Sequence, residues 1–219
     1  VSFSFEFFPP KNDVSEKKFW LNLDILSNLN PNFISITCSC LKNLKNCTHE
    51  LIKKIKLNKN LSVSAHITCV NSTKDEIKNL VSDYIEIGVK DVVAVRGDMP
   101  DFKIFKPYPK GFLSCVDMIK SIKKQNLREI SVSAYPENHP ESINFDKDID
   151  FLKAKIDAGT TRAITQFTFN TESHLRYRDK LRKENISIPI LPGIMPTTNF
   201  ENIKNFSKVC GAKLPNWLI

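Results

Sequence analysis

Glu6 is the residue best placed in this chain to move a proton. It lies in the opening stretch VSFSFEFFPPK, where strand alternation sends Phe3, Phe5 and Phe7 to one face and Ser2, Ser4 and Glu6 to the other. Pro9 and Pro10 stop such a strand just beyond, leaving the carboxylate at its C-terminal end. Among phenylalanines a carboxylate is poorly solvated, which favours its neutral form and makes it a candidate acid. A plain surface Glu at a strand terminus is the other reading, since Glu is almost never buried unless paired. Further polar residues follow later apolar runs: Thr37 after FISI, His66 and Thr68 in SAHIT, Arg96 and Asp98 in AVRGD, Tyr135, Glu137 and His139 in AYPENHPE, and Gln166 in RAITQ.

Strands are expected to begin near residues 2, 33, 62, 91, 129, 162 and 188, each followed by an amphipathic stretch of helical period. Thr48 reads as the cap of the second helix, Ser72 or Thr73 as that of the third, and Gly88 and Gly159 as helix stops. Strict alternation implies a parallel sheet with right-handed crossovers, either open and doubly wound or a (β/α)₈ TIM barrel. With only six glycines and no GxGxxG after the first strand, the barrel is preferred. Barrels collect their chemistry at the C-terminal ends of strands, which is where the polar residues above fall. That moves Glu6 from surface residue toward active-site acid.

Composition excludes several classes. The 219 residues suit one sizeable domain, read as residues 1–219, with 41% hydrophobic and 26% charged residues. No run approaches a membrane span and no signal peptide opens the chain, so a cytoplasmic protein is expected. The net charge of +8 comes from scattered lysines, not from runs, which argues against nucleic-acid binding. Six cysteines form no CxxC pair, so buried thiols are expected and no metal site.

FEFFPP, SAHITC, AVRGD, SAYPENHPE, DAGTTRAITQF and LPGIMP, in this order across essentially the whole chain, resemble the bacterial methylenetetrahydrofolate reductases. The resemblance implies a barrel that carries FAD, takes hydride from NADH and reduces methylenetetrahydrofolate to methyltetrahydrofolate for methionine synthesis. It places the general acid on Glu6 and a residue tuning flavin and pterin on Asp98. It places flavin contacts on Thr37, His66, Arg96, Gly97, Tyr135, His139, Asp148 and Lys155, and folate contacts on Asp98, Gln166 and Asn202. For Glu6 to hold a proton at neutrality, its pKa must rise from about 4.3 toward about 6 to 7. His66 also reads as a structural histidine, Arg96 as a strand-end ion pair, and Asp148 and Lys155 as solvated helix residues.

Departures from the family pattern accompany the resemblance. Cys38 and Cys40 stand where it has Tyr and a small residue, Phe151 and Ala154 where it has Asn and Arg toward the FAD diphosphate, and Asn202 replaces a Gln. Weakened FAD affinity is expected from these. A barrel of this kind needs roughly 250 residues, so about seven of eight βα units are expected, with open edges on the first and last strands. The missing initiator Met and leading helix fit a trimmed chain or a decayed gene product. Alternatives from other classes are a non-catalytic remnant and another barrel flavoenzyme of the proline dehydrogenase type; a homo-oligomer and the choice of NADH over NADPH stay open.

Overall fold

The computed structural model describes residues 2–38, 42–99 and 105–219. Cys40 and Pro100 lie outside the described residues. Strands and helices alternate as β1 (Ser4–Phe7), α1 (Asp13–Ser27), β2 (Phe33–Ile36), α2 (Lys42–Asn58), β3 (Val63–Thr68), α3 (Lys74–Glu86), β4 (Asp91–Val95), α4 (Cys115–Ile122), β5 (Glu129–Ala134), α5 (Phe145–Ala158), β6 (Arg162–Thr165), α6 (Thr171–Lys183), β7 (Ile190–Leu191) and α7 (Phe200–Cys210). The strand order is β1-β2-β3-β4-β5-β6-β7, and the described pairings are parallel. This is the succession of a (β/α)₈ TIM barrel, with seven βα units in the chain. No helix among the described residues is long and apolar enough to cross a membrane.

Asparagine does much of the local work. Asn12, Asn144, Asn170 and Asn199 each cap a helix, accepting a first-turn N–H on the side-chain oxygen, and Thr73 and Ser114 cap α3 and α4. At α1 and α3 the cap is reciprocal: Ser15 and Glu76 bond back to the cap's own N–H. Gly159 ends α5 at φ 123° and Gly211 ends α7 at φ 72°, conformations that disfavour a side chain.

Two compact units divide the chain, residues 1–130 and 131–219. In the first, Ile34, Ile36, Ala65, Ile67, Val92 and Ala94 on the strands are buried, together with Leu23, Ile52, Ile77 and Met118 on the helices. Near-continuous apolar burial of this kind is what a parallel sheet covered by helices demands. In the second, Val132 and Ala163 are buried, as are Ile149, Leu152, Tyr177 and Leu181.

Three local expectations change. α2 begins at Lys42, so Thr48 lies inside the helix and does not cap it; its hydroxyl donates to the carbonyl of Thr37 at 3.3 Å and ties α2 to the end of β2. On α1 only Phe19 and Leu23 are buried, whereas Leu21 and Ile25 are 60% and 56% exposed, so the helix carries apolar residues on two faces. The Phe face of β1 is unevenly packed: Phe7 meets the edge of Phe19 at 5.4 Å, while Phe3 contacts Phe5 at 5.5 Å and stays largely exposed.

Candidate active site

In the first unit the parallel register brings the C-terminal ends of β1 to β4 to one side. Glu6 pairs in register with Ser35 on β2, and Ser35 with Ser64 on β3. From this row Glu6 Oε2 reaches across the small Ser35 side chain to His66 Nε2, 3.2 Å away. The contact is at ion-pair distance but lacks the alignment of a full hydrogen bond. Ser35 Oγ donates to the same carboxylate oxygen at 3.4 Å. His66 is buried, Ser35 more so, and the Glu6 side chain is 47% exposed.

This geometry corrects the expected acidity of Glu6. Desolvation is the largest influence and pushes its pKa up, but the close contact and charge of His66, with the Ser35 hydroxyl, outweigh it and hold the carboxyl below its ordinary range. Phe5 and Phe7, which flank Glu6 in sequence, alternate to the opposite face of β1, so the groups that set its acidity are those of β2 and β3.

The remaining first-unit candidates follow the same rim. The Thr37 N–H donates to the carbonyl of Phe7 at 3.0 Å, extending the β1–β2 ladder by one step. Arg96 folds back so that Nε donates to the Gly97 carbonyl at 3.2 Å, and its guanidinium lies over the Phe105 ring at 5.5 Å. Gly97 takes φ 84°, turning the chain sharply before the exposed Asp98. The hydroxyl of Thr68, buried at the end of β3, has no hydrogen-bond partner.

In the second unit, Tyr135, His139 and Asp148 come together. The rings of Tyr135 and His139 meet edge to face at 4.7 Å, and the Tyr135 hydroxyl donates to Ser133 Oγ at 3.2 Å. His139 Nδ1 accepts the Glu141 N–H at 3.0 Å, so the neutral ring carries its hydrogen on Nε2. The His139 N–H donates to Asp148 Oδ2 at 2.6 Å. Lys155 is not a solvated helix residue: it is 5% exposed, donates to the Ser133 carbonyl at 3.0 Å and lies 4.8 Å from the centre of the Phe151 ring. The Gln166 N–H continues the β5–β6 ladder to the Ala134 carbonyl at 2.8 Å, and its Oε1 accepts the Phe167 N–H. Asn202 is exposed in the first turn of α7, where its N–H donates to Asn199 Oδ1 at 3.0 Å.

Sequence reading overlooked Ser35 and Gly193, and placed Glu137 after the fifth strand without giving it a role. Glu137 Oε2 accepts the Lys213 N–H at 2.9 Å, linking the β5–α5 loop to the segment after α7. Gly193 approaches so closely that a Cβ there would sit 2.3 Å from the Thr165 carbonyl oxygen. Its place within LPGIMP was the available signal.

Comparison with known proteins is consistent across the chain. A family profile for methylenetetrahydrofolate reductase matches residues 1–219. The 5,10-methylenetetrahydrofolate reductase of Buchnera aphidicola subsp. Baizongia pistaciae is 44% identical over 219 residues, covering 100% of this chain and 72% of the relative. The Escherichia coli K12 protein of the same name is 39% identical over 218 residues, with the same coverage. Among solved structures, a Clostridium thermocellum protein that binds two copies of 5-methyl-5,6,7,8-tetrahydrofolic acid superposes with a TM-score of 0.66 at 20% identity, covering 99% of this chain and 73% of that one. At that identity the likeness speaks for the fold. With the profile spanning every βα unit and relatives matched along the whole chain, the protein belongs to the methylenetetrahydrofolate reductase family.

Proposed function

We propose that this chain reduces 5,10-methylenetetrahydrofolate to 5-methyltetrahydrofolate, with electrons from NADH passing through bound FAD. Family membership supports the reaction, and the observation that carries it to particular residues is the Glu6–His66 contact at the strand ends of the first unit. FAD, when bound, would supply hydride transfer between nicotinamide and folate. Residues within each unit suit such a group. In the first, Thr68 offers a buried hydroxyl without a partner and Gly97 turns the chain sharply; in the second, Tyr135 and His139 pair an aromatic ring with an imidazole. Thr37, Arg96, Asp148 and Lys155 complete the assignment, with Gln166 and Asn202 toward the folate.

The chain's own chemistry is protonation and orientation. As the five-membered ring of the folate opens, the nitrogen that leaves takes up a proton, and Glu6 delivers it. Asp98 sets a negative charge beside the pterin and flavin, orienting the substrate and tuning the redox group. Phe151 and Ala154 offer no cation toward a diphosphate, and Lys155 is engaged with Ser133, so FAD is held less tightly than an Arg at residue 154 would allow.

Purified protein should show a flavin spectrum, or gain one on titration with FAD, that NADH bleaches and methylenetetrahydrofolate restores. Colourless protein that takes up no flavin overturns the reading. Glu6→Gln should leave NADH-driven bleaching nearly intact and slow the folate step by about 10² or more. Equal loss in both half-reactions would instead make Glu6 a structural residue.

A further inference from the structure

A carboxyl group whose pKa is held below its ordinary range is a poor reservoir of protons at neutral pH, yet the leaving nitrogen needs one. The structure places a second proton carrier in contact. His66 reaches Glu6 from β3 across β2, and the polar groups against the Glu6 carboxyl are Ser35 Oγ and His66 Nε2. No other charged side chain among the described residues lies at ion-pair distance from either partner. On the face of β3 that carries His66, the hydroxyls of Ser64 and Thr68 are buried on either side of it, without protein partners.

We infer that Glu6 and His66 form a one-proton unit in which His66 stores the proton and Glu6 delivers it. The inference rests on the folate-reductase reading above. In the loaded unit the imidazole is protonated and the carboxylate ionised. The proton leaves Nε2 for Oε2, breaking the N–H bond and forming O–H. It then passes from Oε2 to the folate nitrogen as the carbon–nitrogen bond breaks and its electron pair stays on that nitrogen. The unit ends one proton poorer, with neutral imidazole and carboxylate, and water restores the proton between turnovers. Imidazole suits the task because it ordinarily exchanges its proton near neutral pH. Glu6 suits delivery because its side chain is 47% exposed, whereas His66 lies behind it and is buried.

Two measurements on the holoenzyme test the pairing and the transfer separately. Carbon-13 NMR of labelled glutamate, with the Glu6 signal assigned through E6Q, follows the carboxyl without folate present. In His66→Gln, which keeps a polar side chain but cannot store a proton, its titration midpoint should rise by about one pH unit or more. Stopped-flow mixing of pre-reduced enzyme with methylenetetrahydrofolate, from pH 5 to pH 9, follows the transfer. The wild-type rate should fall as pH rises, and H66Q should lose that limb and slow about tenfold or more at pH 7. An unchanged carboxyl midpoint in H66Q overturns the pairing. A shifted midpoint with an unchanged rate profile overturns the transfer while leaving the pair. If H66Q does not fold, nitrogen-15 NMR of His66 in wild type and E6Q replaces it: an imidazole titration that moves on losing the carboxylate supports the pair, and one that stays overturns it. Wild-type enzyme that keeps the coupled titration but never reduces the folate overturns the functional reading and the transfer together, leaving the coupled pair as a separate result.

Discussion

Asp148 holds His139 by its backbone: the carboxylate at the first turn of α5 accepts the His139 N–H at 2.6 Å. The loop between β5 and α5 is thereby tied to a helix, and the His139 ring stands perpendicular to that of Tyr135. Removing the acceptor with Asp148→Ala should cost about 1.5 to 3 kcal/mol of local hydrogen bonding and loosen the loop. Asp148→Asn retains an acceptor oxygen and should lose less. Flavin titration followed by fluorescence checks this: about tenfold weaker FAD binding is expected in D148A, with D148N intermediate. Equal loss in both would place the carboxylate's charge, instead of its hold on His139, at the centre of its role.

Gly193 admits no side chain. A methyl group would sit 2.3 Å from the Thr165 carbonyl oxygen, and the Gly193 N–H donates to Thr165 Oγ1 at 3.0 Å. Backbone of β6 would have to give way, so Gly193→Ala should destabilise by about 1 to 3 kcal/mol or more. At about 2 to 4 °C of Tm per kcal/mol in a chain of this size, thermal unfolding should register a clear drop.

Gly88 and Gly211 separate strain from crowding. Both have positive φ, 80° and 72°, but a Cβ on Gly88 meets nothing nearer than Lys56 Cε at 3.9 Å, whereas one on Gly211 lies 2.6 Å from Pro140 Cγ. Gly88→Ala should therefore cost about 1 kcal/mol from backbone strain alone. Gly211→Ala should cost distinctly more and displace the loop bearing His139. Denaturant unfolding of the two variants side by side checks the difference.

Glu6 links stability to pH. Its folded-state carboxyl is held below the ordinary range, against the upward push of burial, by His66 and Ser35. Its contribution is therefore present above the unfolded value of about 4.3 and is lost as pH falls through the lower folded value. Between pH 7 and pH 3 the denaturation midpoint should fall further in wild type than in Glu6→Gln, since the groups other than Glu6 titrate in both. Parallel curves would mean that the contact with His66 adds nothing to folding.

Most of the fold was legible because its signals are local. DVVAV is an apolar run of strand length, and residues such as Thr73 and Gly159 mark helix ends within a few positions of where they fall. Thr48 misled because a hydroxyl shortly before Leu51 and Ile52 has the form of a cap, whereas its bond is to the Thr37 carbonyl on another element. Glu6 was legible in its place on β1 but not in its electrostatics. Alternation alone placed Glu6 at a strand end, while its acidity depends on His66, which becomes a neighbour only through the register of three strands. The alternative reading of Lys155 as a solvated residue stood because nothing in its own helix shows the Ser133 carbonyl that binds it.

Ser35 gives that register a condition of size. It sits in line with Glu6 on the strand between the two partners, and its side chain is small enough for carboxylate and imidazole to meet over it. Its hydroxyl is a minor partner at 3.4 Å, so what residue 35 contributes first is empty volume. Alanine there would keep the passage open; valine or leucine would fill it and part the two groups, leaving every backbone bond of the sheet in place. The meeting of carboxylate and imidazole is in this sense governed by the size of a side chain on the strand between them.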